Sequence, residues 1–329
     1  MRLIAAAFLS VSLAAPLAAQ NASQLNLVMP HGEGRLVVPS GPAWFPVSYK
    51  LEDSGSRVTF VFADHLHEVT LEASVFPNDD GSADACRDLT LTLLLTSLHN
   101  QGTIKDERQG IRNVSGVSIA TESFLIATTG VNPGSQQNVY AFAAGPHVCA
   151  ELHLSQSGKT SATDPLFQNE IDRLRFDPDY SPTWQDFNTI ASYFYDTMRD
   201  FRAAAVFYRR ALETLPISPG TLNQRRALTD QLAMSYAIYG DYKNSYNVNE
   251  DAILQDPSYP YYYYNLACVD AELHNPLDAR RHLEMAFARR GNALPGEPLP
   301  DPLNDTSIQK LQSNRIFWLW LKSFTAKNQ

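Results

Sequence analysis

The hydrophobic and polar positions change period about halfway along the chain. In the first half, alternation and β-branched runs predict strands at 34–39, 57–63, 68–76, 115–126, 139–144 and 148–155. Turns rich in Pro and Gly separate them at Ser40-Gly41-Pro42, 78–82, Asn132-Pro133-Gly134 and Gly145-Pro146. Two helices interrupt the strands. One spans about 84–100, and its Leu89, Leu91, Leu93, Leu94, Leu95 and Leu98 form a band wide enough to predict a mostly buried helix. The other opens at Asp164-Pro165, a cap followed by Pro in the first turn, and carries Leu166, Phe167, Ile171 and Leu174. Strands in sequential hairpins with helices set apart predict an α+β domain over 24–178, an antiparallel sheet with two helices.

In the second half, small residues keep a common register. Ser192, Ala233 and Ala267 are each followed twelve residues on by Ala204, Ser245 or Ala279, and nineteen on by Ala211, Ala252 or Ala286. The step from Ser245 to Ala279 is 34 residues, and that from Ala204 to Ser245 is 41, the excess lying in 216–226. Small side chains are required where two helices approach closely, because a larger one would push them apart. Pro216 and Pro257 close the first two units. This pattern resembles the tetratricopeptide repeat (TPR), a helix–turn–helix unit of about 34 residues that stacks into a solenoid.

The resemblance implies an all-α region over 183–329, joined to the first domain by 177–183. Its three repeats span about 185–215, 226–256 and 260–290. It also implies a concave groove lined by the first helix of each unit: Asp186, Thr189, Tyr193 and Asp196, then Asp230, Met234 and Ile238, then Tyr261, Tyr264, Cys268 and Glu272. Within this lining Tyr193, Asp230, Met234, Tyr261, Tyr264 and Glu272 are the candidate binding residues. Members of the family that clamp a carboxyl-terminal tail use Lys and Asn from this face, and none of these positions is Lys, Arg or Asn. The expected partner is therefore a protein or peptide with an apolar or basic segment. Beyond Gly291, Pro295, Pro298, Pro300 and Pro302 predict an extended stretch. A short helix through Leu311 and a last one over 314–324 follow, a cap for the open end of the array. With Ile316, Phe317, Trp318, Leu319, Trp320 and Leu321, this tail either folds back under the proline segment or meets the first domain or another protomer, making a homo-oligomer. The element order of the first half, ending in a Leu-x-Phe at Leu174 to Phe176, resembles the PsbP/Mog1-type α/β/α module, which implies an accessory or adaptor role.

The first nineteen residues read as a signal peptide: Arg2, an apolar stretch, then small residues, with cleavage after Ala19 or Ala22. The protein is thus expected to be exported, periplasmic or extracellular, with no membrane span. Net charge is −9. Residues 24–178 hold ten Lys and Arg against eighteen Asp and Glu, and 179–329 fifteen against seventeen, so neither half offers the basic surface that nucleic acid requires. In an oxidising compartment three cysteines allow one bridge, and Cys86 with Cys149 is the pairing expected, leaving Cys268 free.

Catalytic signatures are absent from the sequence: there is no Gly-x-Ser-x-Gly elbow, no His-Glu-x-x-His and no phosphate-cradling loop. His65 and His67 share one strand face and form the weak candidate for a metal pair, with Asp64, Glu68, His147 or His153 as third ligand. The bland alternative is a solvated strand end. No catalytic residue and no cofactor is assigned. The expected function is a non-enzymatic scaffold that binds a peptide or protein, and the competing one is a hydrolase or metal-dependent enzyme in the first domain, with the repeats recruiting substrate.

Overall fold

A computed structural model describes residues 24–39, 45–52, 57–64, 66–128 and 134–328. The expected signal peptide, His65 and parts of the turns at 40–42 and 132–134 lie outside the described residues. The chain divides into two compact units, one ending at Phe187 and the other starting at Asn188. The first is sheet-rich and antiparallel throughout, and the second is helical.

The first unit holds β1 (Gln24–Leu27), β2 (Arg35–Pro39), β3 (Phe45–Leu51), β4 (Val58–Asp64) and β5 (Val69–Pro77), then α1 (Ala83–Gln101). There follow β6 (Ile104–Val114), β7 (Val117–Thr128), β8 (Gly134–Gly145), β9 (Val148–Ser157), α2 (Pro165–Asp172) and β10 (Arg175–Asp177). Seven strands pair in the order β3-β4-β5-β9-β8-β7-β6, and β1-β2-β10 form a small second sheet. One face of the large sheet is apolar, with Phe60, Phe62, Leu71, Ala73, Leu152 and Leu154 buried. Alternation places the opposite side chains under α1, where Phe76, Leu91, Phe124, Tyr140 and Phe142 make a core around Cys86 and Cys149. Those two cysteines are bridged, with Cα atoms 5.8 Å apart, and Cys268 is free.

Helix ends follow the local sequence. Ser82 caps α1 by accepting from the Ala85 amide at 3.1 Å, and Gly102 closes it in the left-handed conformation at φ 63°. Asp164 caps α2 from the Leu166 amide at 2.8 Å, ahead of Pro165. Two expectations need correction. The leucine band of α1 is not mostly buried: only Cys86 and Leu91 are, while Leu89 and Leu93 face solvent, because a helix laid on a sheet buries one stripe. β1, β3, β6 and β10 escape the sequence pattern. β6 is an edge strand whose exposed run Lys105, Asp106, Glu107, Arg108 and Gln109 reads as a loop.

The boundary falls within α3 (Trp184–Ser192), which continues as a π-helical turn over Tyr193–Met198; α4 (Phe201–Thr214) and α5 (Leu222–Tyr239) follow in the helical unit. It goes on with α6 (Tyr242–Gln255), α7 (Pro260–Glu272), α8 (Pro276–Ala288) and α9 (Arg315–Asn328). The opening turn of α3, Trp184–Phe187, belongs to the sheet-rich unit, where Asp186 accepts from Asn26, Tyr180 and Thr183. The same corner recurs between the helices of each pair. A left-handed residue, Arg199 (φ 57°), Gly240 (φ 93°) or His274 (φ 56°), precedes a capping Asp200, Asp241 or Asn275. Each cap accepts from the amide three residues on, at 2.9, 3.2 and 3.4 Å. The small residues sit as the register requires: Ala204, Ala211, Ala233, Ser245, Ala267, Ala279 and Ala286 are all fully buried, with Ser192 and Ala252 half-buried. The longer step between the first two pairs is a short helical turn at Pro219–Thr221 running straight into α5.

Candidate functional site

Tyr261, Tyr264 and Glu272 gather around a segment absent from the expected lining, residues 294–311. This strap crosses α7. The Tyr261 hydroxyl donates to the Pro298 carbonyl at 2.8 Å, and the Tyr264 hydroxyl to Asp305 at 3.2 Å. Glu272 accepts from Ser307 at 2.8 Å and from Tyr242 at 2.9 Å, and it pairs with Lys310. Burial works to raise the Glu272 pKa, but these donors outweigh it and hold the group below the usual carboxylate range. Further along, Ile308, Leu311, Phe317 and Leu321 enter one core with Tyr263, Tyr264, Ala267 and Leu283.

The reading of Tyr264 as a groove-exposed anchor is therefore corrected. Its ring is 3% exposed and belongs to that core, because the strap and α9 lie where a partner was expected. Cys268 is half-buried with its thiol 3.7 Å from Asp305, and burial pushes that thiol well up. It is no reactive nucleophile. Asp186, expected in the same lining, is buried in the sheet-rich unit.

The remaining candidates are half-buried. Tyr193 opens the π-helical turn, and burial raises its phenol to about 12. Met234 lies one turn after Asp230 on α5. Asp230 accepts from Asn265 at 2.7 Å, which ties α5 to α7. Burial pushes the Asp230 carboxyl up to about 6. Glu297 of the strap is 8% exposed, and its carboxyl is raised to about 7 by burial and then by the nearby Asp230 charge, against the Tyr259 hydroxyl. The phenols of Tyr195, Tyr259 and Tyr261 all feel Asp230. Sequence reasoning missed Glu297. It stands in a proline-rich stretch that reads as a linker, although an acid between Gly296 and Pro298 is a signal in retrospect.

The sheet-rich unit holds a polar row that the sequence hides. On the α1 side of the sheet, Glu72, His153, Tyr140 and Glu122 are successive cross-strand partners. His153 lies 3.8 Å from Glu72 and 3.1 Å from Asn138 through its two nitrogens, and its ring stacks on Tyr140 with centroids 3.9 Å apart. Beside the row, Arg57 pairs with the buried Glu151 and lies 4.4 Å over the Phe76 ring. With both imidazole nitrogens engaged, His153 has no free atom aimed at a nucleophile. His67, from the weak metal pair, lies 2.6 Å from Asp64, whose other oxygen accepts the Leu66 and His67 amides. That is a strand-end turn. Among the described residues no three His, Cys, Asp or Glu side chains cluster as metal ligands, and no helix is long and apolar enough to cross a membrane.

No protein-family model and no curated protein matches the chain. A crystal structure from Bacteroides thetaiotaomicron VPI-5482 is similar over 63% of this chain and 78% of its own, at 10% identity and a TM-score of 0.30. A likeness that loose carries no conclusion about either fold or function.

Proposed function

We propose that this is an exported, non-enzymatic interaction protein whose helix pairs are tetratricopeptide-like repeats. A peptide or protein partner docks on the first-helix face of the first two pairs. Tyr193, Asp230 and Met234 form the docking surface, and the partner presents an apolar or basic segment to it. The third pair serves as the closed end, its face filled by residues 294–311 of the same chain. The observation that carries this reading is the thrice-repeated corner, left-handed residue then Asx cap, placed four residues before each buried small residue of the second helices. Repeats stacked in this way present first helices side by side, and the Asp230–Asn265 bond joins two of them. The bridge between Cys86 and Cys149 fits an oxidising compartment.

The test is site-specific photocrosslinking in the native host, with the crosslinker at Met234 and, as a control, at Leu277, which is exposed on α8. A discrete adduct from Met234 alone is expected. Adducts from Leu277 alone, or only from a crosslinker placed at exposed Leu93 of the sheet-rich unit, would move the binding surface elsewhere.

A further inference from the structure

We propose that the later part of edge strand β6, residues 108–114, pairs antiparallel with the same strand of a second copy of this chain, Ile111 facing Ile111 across a two-fold axis. The large sheet ends in β3 on one side and β6 on the other. β3 carries Pro46, which has no amide to donate, a shift of register just after it, and the exposed Lys50. Such features keep a sheet edge from pairing with another chain. The first part of β6 is protected in the same way. Lys105, Asp106, Glu107 and Arg108 are exposed, Asp106 sits at φ 48°, and the register shifts between Lys105 and Arg108. Beyond Arg108 this protection stops. Gln109, Ile111 and Asn113 are exposed and uncharged, with Ile111 67% exposed. Arg112 turns to the other face, where it pairs with Asp172 of α2 at 2.9 Å.

The backbone of this stretch is turned outward in the right order. Ser115 (φ 54°) and Gly116 (φ 89°) form a two-residue turn into β7, with Val114 facing Val117 across it. Such a turn makes Val114 and Val117 a hydrogen-bonded pair, and the alternation of an antiparallel ladder follows from there. The amides and carbonyls of Arg108, Gly110 and Arg112 therefore point to β7, and those of Gln109, Ile111 and Asn113 point away from the sheet. Among the described residues no backbone hydrogen bond reaches that outer row. Side chains then select the register. Ile111 lies opposite Ala120, so it is on the α1 side of the sheet. A two-fold axis at Gly110 would set Arg108 against Arg112 of the second copy, and one at Arg112 would set that residue against itself. Like charges directly opposite are destabilising. An axis at Gln109 would face Ile111 with Glu107. An axis at Ile111 has none of these conflicts: the two Ile111 side chains meet, each Gln109 stands beside an Asn113, and each Arg112 faces Gly110, which has no side chain to obstruct it. The contact uses the same patch on both copies, so it closes at a dimer.

One strand edge per copy covers less than the roughly 1,600 Å² of a standard interface, so the dimer is expected to dissociate in the micromolar range. Sedimentation equilibrium of the purified chain between ~5 and ~500 µM should show it. Ile111→Lys, at an exposed site, sets two charges face to face and should raise the dissociation constant at least about tenfold. Leu66→Lys, exposed at the turn between β4 and β5, should leave it unchanged. The register is read by oxidative cross-linking. Ile111→Cys would stand with its Cα about 5.5 Å from its copy and should give a covalent dimer. Lys105→Cys, about 40 Å from its copy in this register, should not. A chain that stays monomeric over the whole range, a dimer indifferent to Ile111→Lys, or absence of the Ile111→Cys cross-link would each overturn the pairing.

Discussion

Both units bury carboxylates, and they differ in what stands opposite them. In the sheet-rich unit Glu151 faces the Arg57 guanidinium and Glu72 faces His153, so the charge partner is built across neighbouring strands. Burial still outweighs Arg57 and lifts Glu151 to about 7. In the helical unit, Asp270 meets His282 at 2.6 Å and Asp256 meets Arg226, both between helices, whereas among the described residues Asp230 and Glu297 form no ion pair, Asp230 accepting from the Asn265 amide and Glu297 from the Tyr259 hydroxyl. Glu122 is the sheet-rich unit's own exception, fully buried under α1 and raised to about 7 by that burial. An acid with a fixed internal partner is part of the architecture. An acid without one keeps its proton to higher pH, as Asp230 and Glu297 do at about 6 and about 7.

The contrast can be broken most severely at Arg57. Arg57→Met leaves Glu151 buried and unpaired, which typically costs about 3–5 kcal/mol. The loss should be large at pH 8 and much smaller at pH 5, where Glu151 carries a proton. Urea unfolding followed at both pH values checks this, and equal losses would show that Arg57 acts through packing on Phe76 instead. Next in size is Ala267→Trp. Ala267 is fully buried where α7 meets its neighbours, and overpacking of this kind costs about 3 kcal/mol. Circular dichroism should show helical melting at lower temperature with the sheet signal unchanged. An unaltered helical melt would refute the register.

The smallest effect sharpens the comparison. Glu297 titrates at about 7 in the folded chain, above the ordinary carboxylate value of 4.5. The folded state then binds more protons than the unfolded one between those values. Its contribution is present in full below the ordinary value and is lost as pH rises through about 7. Glu297→Gln removes this one titration, so from pH 5 to pH 8 the parent should lose about 1–3 kcal/mol more than the variant, which still declines through Glu122 and Glu151. Chemical denaturation across that range is the measurement, and parallel curves for the two proteins would contradict it.

How much could be read in advance depended on how far apart in sequence the partners lie. Ala233, Ser245 and Ala267 recur locally, and their spacing placed the helix pairs before any coordinates. The Arg199-Asp200, Gly240-Asp241 and His274-Asn275 corners carry the same information in a form the small-residue pattern did not use. The Glu72–His153–Tyr140–Glu122 row is different, since its members come from four strands and meet only through register. Edge strand β6 was illegible because an edge strand keeps its charges exposed. Tyr264 was misplaced for a further reason. Its helix face was identified, but what covers that face is residues 303–311, more than thirty-five positions later, and no local pattern announces such a return.

The placement of α9 has a consequence for assembly. A stack of like units ends in a surface that matches the beginning of another stack, and head-to-tail contacts of that kind do not close on themselves but extend into fibres. On this chain Phe317 and Leu321 already occupy the outer side of the last helix pair, with Phe324 against Phe287 at 5.1 Å between ring centroids. A second copy arriving there would meet α9, with Arg315, Ile316, Leu319 and Lys322 exposed on it, instead of a matching helix pair. The outer side of the last helix pair is thus covered by the protein's own last helix.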